Sequence, residues 1–225
     1  MVPARRIHTI LFVAMFALAF ALLPQTIFAS EHSGTGSSVR ISQSIDDNQT
    51  VRLAHNTRPE ANAKNDRGPV SDSFDIDHMF LLLQRSPEKE QALDKLIDQL
   101  NDRKSPNFHH WLTAAEFGQR FGVAQEDIDT ITNWLESHGF RVNQVYLSRI
   151  LIDFSGTAGQ LREAFHTEMH QLDVNGQMHF SNISDPRIPL ALAPVVKGFA
   201  SLNDFKPRAM YKAKPDYTLS LIHIL

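Results

Sequence analysis

The stretch FRVNQVYLSRILIDFSGTAGQLREAF, residues 140–165, decides the fold class. Phe140 to Leu147 and Arg149 to Phe154 read as two strands, the second alternating Ile150, Ile152 and Phe154 against Arg149, Leu151 and Asp153. The joint at Ser148 is tight, so the strands are expected to be neighbours. Thr157 and Gln160 form a capping-box pair that opens a short helix with Leu161, Ala164 and Phe165 turned inward. A strand pair running into a helix points to a sheet with helical cover.

Upstream, Met79 to Leu83 is a continuous apolar run, and Ile76 to Leu83 is expected to be a strand buried on both faces. Pro87 suits a first helical position, and Ala92, Leu93, Leu96, Ile97 and Leu100 recur at helical spacing behind Glu88 and Glu90. A second helix is capped by Thr113 and Glu116, stapled by Leu112 onto Phe117, and ended by Gly122. A third runs from about Gln125 to His138 with Gly139 at its C-terminal cap. Downstream, Glu168 to Val174 and Gln177 to Ser181 flank Asn175-Gly176, a strong hairpin signal. Pro186, Pro189 and Pro194 break the next stretch into a loop with one helical turn, and Gly198 to Asn203 offers a last strand. The order resembles a split β-α-β-β-α-β layout: an α+β, ferredoxin-like antiparallel sheet with helices on one face and an added helical insertion.

The remaining chain reads as flanks. Arg5, Arg6 and His8 precede an apolar run from Ile10 to Leu23, too short to span a bilayer, which makes residues 1–29 a signal peptide cut between Ala29 and Ser30. The expected destination is extracytoplasmic, with no membrane attachment after cleavage. Residues 30–73, rich in Ser, Asn, Asp and Gly, are expected to be a flexible leader ahead of a folded domain at 74–205. Residues 206–225 turn basic and turn-rich, with Lys206, Pro207, Arg208, Lys212, Lys214 and Asp216 as a linker. The last residues, Thr218 to Leu225, have the look of sequencing read-through that truncates a longer frame.

A chain of 225 residues with 42% hydrophobic and 21% charged residues has the composition of a globular domain with tails. A formal charge of −3 supplies no basic excess for phosphates, which argues against nucleic acid as a partner. Zero cysteines exclude both disulfides and a thiol nucleophile. His166 and His170 have zinc-motif spacing, but Thr167 stands where that motif needs Glu, so a solvated strand face is the expectation. His109 and His110 are adjacent and diverge beside Phe108 and Trp111, as loop residues do. Ser155-Gly156-Thr157 superficially resembles a nucleophile turn, yet Ala158 occupies the place of the serine such a turn needs, and a helix cap accounts for Thr157. No catalytic, metal or cofactor-binding residue is expected in this stretch of chain.

SPNFHHWLTAAEFGQRFG, residues 105–122, resembles the signature of the activation domain of pro-kumamolisin and its relatives: Ser-Pro, an aromatic, His, then Leu-Thr, Glu-Phe and Arg-Phe-Gly. Further matches follow in order: Trp134 to Phe140, Ile152 to Thr157, Ala164 to Glu168, Val174 to Gly176, Asn182 to Pro186, Ile188-Pro189 and Ser201 to Phe205. The resemblance covers about residues 75–206. Leu53 to Pro59 is similar to the family's leader, with His55 where a glycine is expected. The resemblance implies an inhibitory propeptide, partnered in cis by a sedolisin-type serine-carboxyl peptidase whose Ser, Glu and Asp residues and calcium site lie outside this sequence. It also implies that the linker after Phe205 crosses the peptidase cleft and is cut on acid maturation. A freestanding secreted inhibitor, and a ferredoxin-like ligand- or RNA-binding module, are the alternatives; Arg149 to Phe154 lacks the aromatic pair that stacks bases.

Overall fold

The computed structural model describes residues 38–200 and 202–206. In chain order these hold β1 (Thr50–Arg52), β2 (Asp66–Pro69), β3 (Asp75–Leu83), α1 (Pro87–Asn101), α2 (Ala114–Phe121), α3 (Gln125–Ser137), β4 (Arg141–Val145) and β5 (Leu151–Thr157). They continue with α4 (Ala158–Phe165), β6 (Met169–Val174), β7 (Gln177–Asn182), β8 (Arg187–Pro189), a 3-10 turn at Leu190–Leu192 and β9 (Val196–Phe199).

The principal sheet has strand order β4-β5-β3-β9 with every neighbour antiparallel. Register explains its two faces, since residues paired across antiparallel strands share a side. Met79 opposite Phe154 and Leu81 opposite Ile152 are all buried at 1% exposure or less, under Ile128, Ile131 and Leu135 of α3 and Leu161 and Phe165 of α4. Phe80 opposite Asp153 and Leu82 opposite Leu151 lie on the other side, where Phe80 and Leu82 are only half-buried. The strand expected to be buried on both faces is therefore packed on one. A bulge between Ile76 and Met79, with His78 at φ +55°, keeps both apolar residues on the inner side despite their spacing.

The caps form as the sequence predicts. Thr113 and Thr157 each accept from the third helical amide, while Glu116 and Gln160 bond back to the cap amides. Asn175 and Gly176 take φ of +56° and +78°, the mirror-image turn that matches strand twist. The hairpin they make, β6-β7, joins β2 in a separate three-stranded sheet. Helices α1 and α2 close a small core of their own from Leu96, Leu100 and Phe121, with Leu112 and Phe117 packed on it. The molecule is α+β.

Residues 38–73 are not a loose leader. β1 pairs with β8, β2 pairs with β6, and Ile41 and Leu53 enter the main core. Their apolar residues are too widely spaced to give a periodic signal, and only partners far along the chain, such as Ile188 opposite Val51, supply the missing half of each contact.

Candidate functional site

Two places on the surface carry organised chemistry. The first is the outer face of the four-stranded sheet. Asp153, nearly buried, has His78 Nδ1 at 2.9 Å from one oxygen and accepts from Asn143 Nδ2 at 2.9 Å on the other. Asn143 Nδ2 also reaches Ser155 Oγ at 2.7 Å, and the His78 amide donates to the same hydroxyl at 3.3 Å. Ser155 is thus held by an amide side chain and a backbone N–H, while the neighbouring imidazole turns to Asp153. That geometry fixes a polar patch; it does not line up a nucleophile with a base. Beside it the rings of Phe80 and Tyr146 meet edge to face at 6.4 Å, next to half-buried Leu82 and Leu151. The face therefore offers an apolar centre with a fixed polar border, the composition of a contact surface.

The second place is where the described chain ends. Residues 202–204 lie along the free edge of β7: Asn182 donates to the Leu202 carbonyl, Ser181 bridges to Asn203, and Asp204 donates to the Phe180 carbonyl. The Asp204 carboxylate takes the Phe180 amide at 3.1 Å and lies 3.0 Å from His179 Nδ1. Phe205 stacks on the His179 ring with centroids 4.0 Å apart, and the Arg58 guanidinium sits 4.4 Å from the Phe205 centroid. Glu60 holds Arg58 through two 3.0 Å bonds, and those bonds hold the Glu60 carboxyl below its ordinary range. These groups, with Val174, Asn175, Gln177 and Lys206, line an open pocket of about 950 Å³.

The other residues singled out in sequence have structural roles. His166 is the left-handed C-cap of α4 at φ +51°, whereas His170 is buried in β6, 2.7 Å from Asp66 and 3.3 Å from Glu168. The two histidines sit in different elements and do not converge. Among the described residues no cluster of three or more His, Asp or Glu side chains could hold a metal ion. His109 is stacked between neighbours, 3.8 Å from Phe108 and 5.8 Å from Trp111. Asn182, at the start of the matching stretch Asn182 to Pro186, is 1% exposed and donates to the Asn56 and Ser184 carbonyls.

Residues 62–205 match the family model described as "Pro-kumamolisin, activation domain". The chain belongs to this family. The activation domain is 29% identical over 141 residues to xanthomonalisin from Xanthomonas sp. (strain T-22), a match covering 61% of this chain and 17% of the relative. It is 24% identical over 115 residues to sedolisin from Pseudomonas sp. (strain 101), covering 51% and 20%. Kumamolisin from Bacillus sp. (strain MN-32) is 25% identical over 158 residues, covering 70% and 28%. The chain thus spans well under a third of each of these relatives.

Of the residues assigned to the linker after the activation domain, Lys206 lies directly past the Phe205 clamp. Pro207, Arg208, Lys212, Lys214 and Asp216 lie outside the described residues, as do Ala29 and Ser30 at the expected signal cleavage. Sequence reasoning missed the His78–Asp153 patch and the Arg58–Phe205–His179 clamp. Phe205 was visible only as a chain terminus of the domain; its partners lie far upstream and on another sheet, and no local spacing joins them.

Proposed function

We propose that this activation domain is the propeptide of a secreted sedolisin-family peptidase precursor, acting as an intramolecular inhibitor and folding aid that is removed on acid activation. The observation that carries the reading is the family match ending at Phe205, the residue at which the fold clamps the chain before it enters the linker. A domain tethered to its own peptidase meets it at high effective concentration, so a modest interface such as the open sheet face suffices to keep a cleft blocked. A linker that starts from a fixed point is delivered in one direction, which lowers the entropy lost when it seats. The cognate catalytic domain, in cis, is the partner, and calcium belongs to that domain. No helix among the described residues is long and apolar enough to cross a membrane.

The test is to add the purified 225-residue chain to a sedolisin-family peptidase and follow peptide hydrolysis. Saturable inhibition at near-neutral pH that is relieved on acidification supports the reading. Turnover that stays unchanged at every concentration of the chain sinks it.

A further inference from the structure

The family match begins at residue 62, yet the fold holds residues 38–56 at both ends and in the middle. The first hold is at the start of α3. Its N-cap is Ala124, which offers no side-chain acceptor, and Asp127 in the first turn is fully buried. Both Asp127 oxygens are spent on the incoming strap: Arg40 N–H reaches them at 3.1 and 3.0 Å, and Ile41 N–H reaches one at 2.9 Å. Backbone amides are what this carboxylate reads, so it recognises an extended peptide and not a particular side chain. Arg40 adds a guanidinium bond to the Gln84 carbonyl, and Ile41 enters the core.

The second hold is at the other end of α3. Trp134 Nε1 donates to Asp47 at 2.8 Å, and His138 Nε2 lies 3.5 Å from the same carboxylate. The strap then pairs as β1 with β8 and sends the Leu53 amide to the Pro186 carbonyl. The third hold is Asp185, which accepts from the amides of His55 and Asn56 and from the Thr57 hydroxyl at 3.3, 2.8 and 3.0 Å. Asn56 carries the connection onward, accepting the Phe199 amide at 2.7 Å. A buried carboxylate is tolerated only when its oxygens are satisfied, so Asp127 in this position makes sense with the strap in place and is costly without it.

We propose that residues 38–56 are a peptide captured in cis, seated by a backbone-reading site at Asp127 and locked by Asp185, and that the functional activation unit includes them, ahead of the family match that begins at residue 62. The strap ties α3, which covers the sheet, to β8 and β9, so residues 38–56 and the last crossover become one cooperative unit.

The experiment is amide hydrogen exchange on the 225-residue chain and on its Asp127→Ala variant. In the parent chain the Arg40, Ile41 and Leu53 amides are expected to be protected alongside α3. In Asp127→Ala their exchange rises about tenfold or more, the effect of losing bonds to a charged acceptor, while β3 and β5 keep their protection. Free exchange across 38–56 in the parent chain overturns the proposal. If Asp127→Ala unfolds the whole chain, the same measurement on Asp47→Ala decides. Faster exchange confined to Arg40–Leu53 supports the strap, and an unchanged profile overturns it.

Discussion

Among the described residues, six other than glycine have positive φ, and four of them are histidines: His55, His78, His109 and His166. Left-handed backbone costs an L-residue roughly 1–2 kcal/mol, so each must be over-determined by its surroundings. His78 is held by the hydrogen bond its backbone N–H donates to Ser155 Oγ and by its ring contact with Asp153, and His166 closes α4. His55 is exposed, its amide turned to Asp185, at the position where the resemblance to the family's leader leads one to expect a glycine. Its φ of +66° lies in the region that glycine adopts without strain. His55→Gly is expected to raise the unfolding free energy by about 0.5–1 kcal/mol, the relief of strain less the added freedom of the unfolded chain. Urea unfolding measures it, and a loss of stability would show that the histidine ring contributes more than its backbone costs.

Among the elements, the α1–α2 arm is the addition to the sheet-and-helix frame, and its attachment depends on close backbone approach. A Cβ on Gly118 of α2 would collide with the Leu147 carbonyl oxygen in the β4–β5 turn, a backbone atom that cannot swing aside as the end of a flexible side chain could. Gly118→Ala is therefore expected to cost about 2–3 kcal/mol and to shift the Leu147–Ser148 turn, read by urea unfolding and by the chemical shifts of that turn. An effect under about 0.5 kcal/mol would mean that the arm rides loosely on the turn. The glycine lies inside the 105–122 stretch but outside the signature pattern, and its purpose was not legible, because the turn it meets comes later in the chain. The helices themselves were legible: Thr113 with Glu116, and Thr157 with Gln160, carry their caps within four residues.

At the scale of the whole molecule, acid sensitivity follows from carboxylates that receive hydrogen bonds across the fold. Burial alone would raise the Asp185 pKa, but the bonds from Thr57, Asn56 and His55, with Arg52 nearby, outweigh it and leave it lowered. Asp66 is lowered by the Gly68 amide and then by His170. A carboxylate depressed on folding contributes stability that is present above its unfolded value, about 4, and is lost as pH falls through the lower folded one. Asp185→Asn is thus expected to weaken the chain at pH 7, with the gap to the parent closing below about pH 4. Urea midpoints across that range check it, and a gap as wide at pH 3 as at pH 7 would exclude this carboxylate as a source of acid loosening. Strand Ile76 to Leu83, the amphipathic helices, both capping boxes and the Asn175-Gly176 turn were written in the sequence by itself, because each rests on contacts a few residues apart. The sequence also carried the family signature at 105–122, and with it the functional reading. Only the tertiary structure decided that the hairpin joins a second sheet, that residues 38–56 are a strap, and that Phe205 is clamped by Arg58 and His179. Those features depend on groups separated by up to about 150 residues, and a local pattern holds no record of which distant amide will meet Asp127 or Asp185.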